Sequence, residues 1–179
     1  MNFTGERVVW NKPGDHLSEF KICANFYMDA MVHAKGKRVI DAACGTGFGS
    51  FLLSRVAEEL FSIDVEPEVF EPHEDILPLG CKTTKLALNL ETEPVDITAD
   101  LCVSIETIEH LANPDFFLSN LKAKSLFFTI PCYGDKNNHF HKIEYSEESA
   151  KALITKYFPI LEYRMEKKRM IGIAHKPLT

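Results

Sequence analysis

Residues 39–50, VIDAACGTGFGS, constrain this chain more than any other stretch. Val39 and Ile40 form an apolar β-branched pair that reads as a buried strand stopping at Asp41. Gly45, Gly47 and Gly49 follow, and then Phe51, Leu52, Leu53, Val56, Ala57 and Leu60 recur at helical spacing. A strand, a glycine turn and a helix in that order aim backbone N–H groups and a helix N-terminus at an anion. Glycine suits the turn because a Cβ would obstruct both the tight bend and the close approach of a ligand.

Several ligands use such a turn, and the neighbouring residues separate them. A phosphate-gripping loop needs Lys followed by Ser or Thr after its last glycine, and this turn has neither. The dinucleotide pattern G-x-G-x-x-G is met only in part, because Ser50 stands at the third position. Asp41 ends the first strand, where a carboxylate can receive a ligand ammonium. Asp64 ends the next apolar run at the place where an acidic residue takes both ribose hydroxyls, and Asn89 ends a third run where its amide can meet an adenine edge. Charge-assisted hydrogen bonds of this kind contribute about 1.5–3 kcal/mol each. Sites for an ammonium, an anion, a ribose and an adenine describe S-adenosylmethionine better than NAD.

The segments KRVIDAACGTGFGS (37–50), FSIDVEPE (61–68) and VSIETIEHL (103–111), with TGERVV (4–9), HLSEF (16–20), FFTIP (127–131) and NHFHKIEYSEES (138–149), resemble class I S-adenosylmethionine-dependent methyltransferases of a small-molecule or glycan-associated branch. The resemblance implies an α/β fold: a Rossmann-like doubly wound sheet, mostly parallel, with a C-terminal antiparallel hairpin. It also implies that residues 1–36, an arm and a helix, cover the ligand site of a methyltransferase domain spanning 37–179, and that S-adenosylmethionine is held by Asp41, Ala43, Cys44, Gly45, Gly47, Asp64, Val65, Asn89, Leu90 and Glu106. The EHL segment marks His110, and His141-x-x-Glu144 matches an H-x-x-E pattern, so His110, His141 and Glu144 are the candidate catalytic residues. His16 matches the pattern as well.

With 179 residues the chain is long enough for one well-buried domain. A net charge of −6 argues against nucleic acid as the acceptor, since duplex binding leans on Lys and Arg meeting phosphates. No apolar run reaches the roughly 20 residues of a membrane helix, and the N-terminus lacks a signal peptide's basic-then-apolar order. Five cysteines without a C-x-x-C pair read as reduced thiols of a cytoplasmic protein. The expected partner is a small-molecule or glycan acceptor, and a second copy of the chain is a further candidate.

The pattern predicts helices over 17–34, from the glycine turn to about 59, over 115–122 and over 146–158. It predicts strands over 38–41, 60–64, 85–89, 101–105 and 126–130, the first four as continuous apolar runs, and an antiparallel pair over 160–165 and 170–175. Pro67, Pro72 and Pro78 break the segment 65–81, because an interior proline costs a helix about 3 kcal/mol or more. The crossover after the second strand is therefore expected to be short, and the adenine pocket shallow. The cluster Arg164, Lys167, Lys168 and Arg169 reads as a solvated turn. The polar loop 131–145 is long for a compact domain, and such loops tend to carry function.

In methyl transfer from a sulfonium, holding the acceptor in line contributes roughly 7–11 kcal/mol, and a general base adds about 10²–10⁴-fold for a hydroxyl acceptor. Glu106, Thr107 and His110 after the fourth strand, and Tyr133, His139, His141 and Glu144 after the fifth, stand at the sheet edge where open α/β sheets bind ligands. His139-x-His141 with Glu144 or Asp135 is a Zn or Fe donor set by type, but the resemblance accounts for those residues without a metal, and none is assigned. The expected activity is methyl transfer to a small-molecule or sugar hydroxyl. The alternatives are a non-catalytic S-adenosylmethionine-binding module and, against the evidence of Ser50 and the EHL segment, a nicotinamide-dependent oxidoreductase.

Overall fold

The computed structural model describes residues 17–66, 80–132 and 139–177. The elements run α1 (Leu17–Ala34), β1 (Arg38–Ala42), α2 (Phe48–Ser54), β2 (Glu59–Asp64), β3 (Lys82–Ala87) and β4 (Ala99–Ile105). A single 3-10 turn (Ile108–His110) follows, then α3 (Pro114–Asn120), β5 (Ala123–Pro131), α4 (Glu147–Tyr157), β6 (Ile160–Glu166) and β7 (Arg169–His175). The expected arm, His16 and most of the proline-broken crossover lie outside the described residues.

Among the described residues, all seven strands join one sheet in the order β3-β2-β1-β4-β5-β7-β6. The first five are mutually parallel; β7 runs antiparallel to β5, and β6 antiparallel to β7. This is the mostly parallel Rossmann-like sheet with a C-terminal hairpin that the sequence predicts. Consecutive strand residues point to opposite faces, which divides the core in two. Val39, Leu60, Leu101 and Phe127 pack with Phe26, Tyr27 and Ala30 of α1 and Leu53 of α2. Ile40, Ile63, Cys102, Leu126 and Phe128 pack with Phe117 and Leu118 of α3 and Ala150 and Ile154 of α4. The chain winds outward from β1 to β3 and then returns to β4 beside β1, so the strand order reverses between β1 and β4. Ligands of open α/β sheets bind at that crevice.

Several boundaries differ from the sequence reading, and for α2 and β3 the reason is visible in the hydrogen bonds. α2 ends at Ser54, not near residue 59. Arg55 N–H and Val56 N–H reach back only three residues, to Leu52 and Leu53, and the chain then pairs with the linker before β1, where Glu58 N–H donates to Lys37 O. Val56 and Ala57 are apolar because they pack under this bend, against the α1 side of the sheet, and not because they continue a helix. β3 ends at Ala87, opposite Asp64, and Leu88 N–H donates to Asp64 O as the chain leaves the sheet, so Leu88 and Asn89 form a loop. β3 is also an edge strand of half-buried residues, KTTKLA, and not the continuous apolar run expected of it. α3 stops at Asn120, and β5 starts at Ala123, three residues early. α4 begins as predicted, with a reciprocal cap between Ser146 and Ser149.

Candidate active site

β1 and β4 are each followed directly by a non-glycine residue in left-handed conformation, Ala43 (φ 55°) and Glu106 (φ 48°). Such conformations cost energy and cluster at functional sites. Here they turn the chain sharply away from the two strands that flank the reversal point, opening the crevice between them. Gly45 (φ 55°) and Gly47 (φ 80°) complete the first bend in the left-handed region that glycine occupies without a steric cost. Thr107 closes the floor, its hydroxyl donating to the carbonyls of Ile105 (3.1 Å) and Ala42 (3.4 Å).

The bend is fastened to the tip of β2. Gly45 N–H donates to Asp64 Oδ2 at 2.9 Å, Cys44 N–H donates to Ile63 O at 2.9 Å, and Glu66 N–H donates to Asp64 Oδ1 at 3.2 Å. Asp64, only 4% exposed, thus lies against the glycine turn, as the ribose reading requires. A cavity of about 350 Å³ opens here, and its wall includes Ala43, Cys44, Gly45, Asp64, Val65, Asn89, Leu90, Glu106 and His110 of the residues expected to bind or react. Asn89 spends its Oδ1 on Glu91 N–H, which fixes the turn that carries it to the wall.

Four expected residues sit elsewhere. Gly47 shapes the bend but is not part of the wall. Glu144 is exposed and apart from the wall. His141 stands behind it, its ring edge-on to that of His110 with centroids 4.9 Å apart. Asp41 is fully buried and off the wall, its carboxylate accepting from Tyr27 Oη (3.0 Å) and Ser50 Oγ (2.7 Å). Burial pushes its carboxyl up to about 7, against the opposing pull of those two hydroxyls. Tyr27, not Asp41, is what reaches the cavity, so Asp41 meets it only through the phenol it holds.

The sequence reading also left out contributors from distant segments. Cys23 and Tyr27 of α1 line the cavity, as do Glu91 and Lys142. Periodicity marks Tyr27 as a buried helix residue, but nothing in the sequence aims it at a ligand. Gly49 lets it approach, for a Cβ there would lie 1.9 Å from the Tyr27 ring. Lys142 Nζ meets both oxygens of Glu91 at 3.1 and 3.3 Å, clamping the loop after β3 to the loop after β5. Ala112 N–H is the larger cause, with Lys142, of the lowered Glu91 carboxyl. Arg169 corrects the solvated-turn reading: its Nε donates to Glu106 Oε2 at 3.0 Å, while Thr129 Oγ1 donates to Glu106 Oε1 at 2.9 Å.

His110 Nδ1 lies 3.2 Å from Phe140 O, and Lys142 N–H and Ile143 N–H both donate to Glu109 O. These bonds fasten the histidine loop to the 3-10 turn. Glu109 itself is fully buried, and neither of its carboxylate oxygens has a hydrogen-bond partner. Burial raises its carboxyl well above the usual range, and the nearby Glu106 adds to the effect. Donor atoms of Glu109, His110 and His141 all lie within 4.8 Å of one another. Of the donors considered from sequence, Glu144 and the exposed His139 are not in this group, and Asp135 lies outside the described residues.

No family model matches the chain. A mitochondrial ubiquinone biosynthesis O-methyltransferase from Schizosaccharomyces pombe is 28% identical over 93 residues, half of this chain and 34% of that protein. The chain thus matches about a third of the length of its curated relative. The N-methyltransferase NodS from Bradyrhizobium japonicum WM9, solved in complex with S-adenosyl-L-homocysteine, superposes with a TM-score of 0.70 at 14% identity, covering 92% of this chain and 90% of that one. The small RNA methyltransferase HEN1 gives a TM-score of 0.71 at 14% identity, over 96% of this chain and 27% of that one. The sheet order, its reversal point and these superpositions agree: the chain has the class I methyltransferase fold.

Proposed function

We propose that the protein is an S-adenosylmethionine-dependent methyltransferase that transfers the methyl group to a hydroxyl of a small-molecule or sugar acceptor. The observation that carries the reading is Asp64, buried at the tip of β2, bonded to Gly45 N–H and forming part of the cavity wall. A carboxylate has about four lone-pair sites, so Asp64 keeps acceptor capacity for ribose hydroxyls while holding the turn. The polar loop at Asn89 supports an adenine site and the turn at 43–45 a methionine site. His110 on the wall, with His141 behind it, supports the acceptor side. The overlap with a NodS structure holding S-adenosyl-L-homocysteine and the match to an O-methyltransferase support the same cofactor.

The neighbours carry different acceptors, so the acceptor is read from this chain alone. A formal charge of −6 favours an uncharged or cationic acceptor over a polyphosphate. Because α1 supplies Cys23 and Tyr27 to the wall, this helix is read as part of the cover of the ligand site. The five thiols fit a reducing, cytoplasmic compartment. Among the described residues no helix is long and apolar enough to cross a membrane.

Calorimetric titration with S-adenosylhomocysteine tests the reading. One molecule is expected to bind per chain, and Asp64→Asn is expected to weaken binding by about 10–100-fold through loss of charge-assisted bonds. Absence of binding to the wild-type chain overturns the proposal. Turnover against a panel of hydroxyl acceptors then separates an enzyme from a non-catalytic binding module.

A further inference from the structure

We propose that Glu109, His110 and His141 form a site for one divalent transition-metal ion of the Zn2+ class, set behind the cavity wall with an open coordination position toward it. Glu109 gives the first argument. It is fully buried, and both carboxylate oxygens lack a hydrogen-bond partner. An uncompensated buried carboxylate is costly, and a buried charge is stable when paired or bound to a metal. A proton alone would leave an O–H without an acceptor.

The second argument comes from His110, which the structure ties down on its far side. Its Nδ1 faces Phe140 O at 3.2 Å, so Nδ1 carries hydrogen and Nε2 presents its lone pair. That Nε2 faces Glu109 Oε1 at 3.8 Å, too long for a hydrogen bond. A metal-binding histidine usually donates its other ring N–H to a carbonyl or carboxylate in this way. The third argument is placement. Glu109 O accepts both Lys142 N–H and Ile143 N–H, which carries His141 to His110 with the rings nearly perpendicular.

The donor atoms lie within 4.8 Å of one another. Bonds of about 2.0–2.2 Å at tetrahedral angles put two donors of one ion roughly 3.3–3.6 Å apart, so the set closes on an ion by side-chain shifts of about 1 Å. Two histidines and one carboxylate leave a position open, as in catalytic zinc sites, and suit Zn or Fe by ligand type.

The role of the ion rests on the methyltransferase reading. An acceptor hydroxyl on the open position becomes more acidic and loses its proton to water. Its oxygen then bonds the sulfonium methyl while the S–CH3 electron pair returns to sulfur, leaving a methyl ether and a thioether.

The test uses the full chain, stripped with chelator and titrated with Zn2+ by calorimetry, then loaded with Co2+ for its visible spectrum. One Zn2+ per chain is expected, with affinity reduced at least 100-fold in Glu109→Gln and in His141→Ala. The Co2+ form is expected to lack the near-ultraviolet thiolate band that binding to cysteine would give. If Glu109→Gln does not fold, His141→Ala decides. No stoichiometric binding, equal affinity in the variants or a thiolate band overturns the site. S-adenosylhomocysteine affinity should be nearly unchanged in both variants. Its absence from the wild type, with Zn2+ still bound, would remove the role in methyl transfer and leave the metal site standing.

Discussion

Asp41 and Asp64 end neighbouring strands and are both short, buried acids, yet their neighbours give them different work. Asp64 keeps a face on the cavity. Asp41 is sealed behind Tyr27 and Ser50, where burial raises its carboxyl to about 7. An unfolded aspartate titrates near 3.9, so between about pH 4 and pH 7 the folded chain holds a proton the unfolded chain has lost. Stability contributed by that proton is complete below about pH 4, declines as the pH rises through that window, and levels off above it. The decline is at most about 4 kcal/mol. Asp41→Asn keeps a partner for both hydroxyls and removes the titration. The difference between the urea midpoints of wild type and variant should therefore change steadily from pH 4 to 7, and parallel curves would refute the assignment. The sequence names both acids, because each closes an apolar run before a turn. It does not tell them apart, because what separates them is a tyrosine 14 residues upstream on another element.

Elements enter the site through contacts whose register the sequence does not carry. Tyr27 lies where a Gly49 Cβ would be, so α1 can rest on α2 only while residue 49 is glycine. Gly49→Ala is expected to cost about 1–3 kcal/mol by overpacking. Because Tyr27 must shift out of the cavity wall, it should weaken S-adenosylhomocysteine binding as well. Urea melts and calorimetry on one preparation check both, and an unchanged affinity would show that the ring is not needed there. Arg169 is a second case. Its contact with Glu106 spans 63 residues and follows from β7 pairing with β5 so that Arg169 stands opposite Pro131. A basic residue beside two lysines reads as surface until that pairing is known. Arg169→Ala should reduce stability by under about 1 kcal/mol, since the pair is partly exposed, while lowering turnover through a loosened Glu106. A stability loss without any change in turnover would contradict this. The long central strands were legible from apolar runs. The ends of α2 and β3 are not legible in this way, because burial under a bend imitates helix periodicity and an edge strand lacks the apolar signal.

The cavity exists only when the whole sheet is assembled. Its wall takes residues from α1, from the ends of β1, β2 and β4, and from the loops after β3 and β5. No short segment of the unfolded chain could reproduce that surface, so a ligand of this site binds the folded state alone. Stability must then rise with ligand concentration by mass action, about 2.7 kcal/mol when free ligand is 100 times Kd. For a domain of this size each kcal/mol moves the midpoint roughly 2–4 °C, so S-adenosylhomocysteine at that level should raise Tm by about 5–11 °C. The shift should be a single cooperative transition, because α1, the sheet and the C-terminal hairpin share one core face. Asp64→Asn at the same ligand concentration should lose about half or more of the shift, since a 10–100-fold weaker Kd cuts the mass-action term by about 1.3–2.3 kcal/mol. A shift that survives intact in Asp64→Asn would mean the nucleoside sits elsewhere on the sheet edge. A transition that splits in two on ligand addition would mean that α1 and the hairpin do not belong to one folding unit.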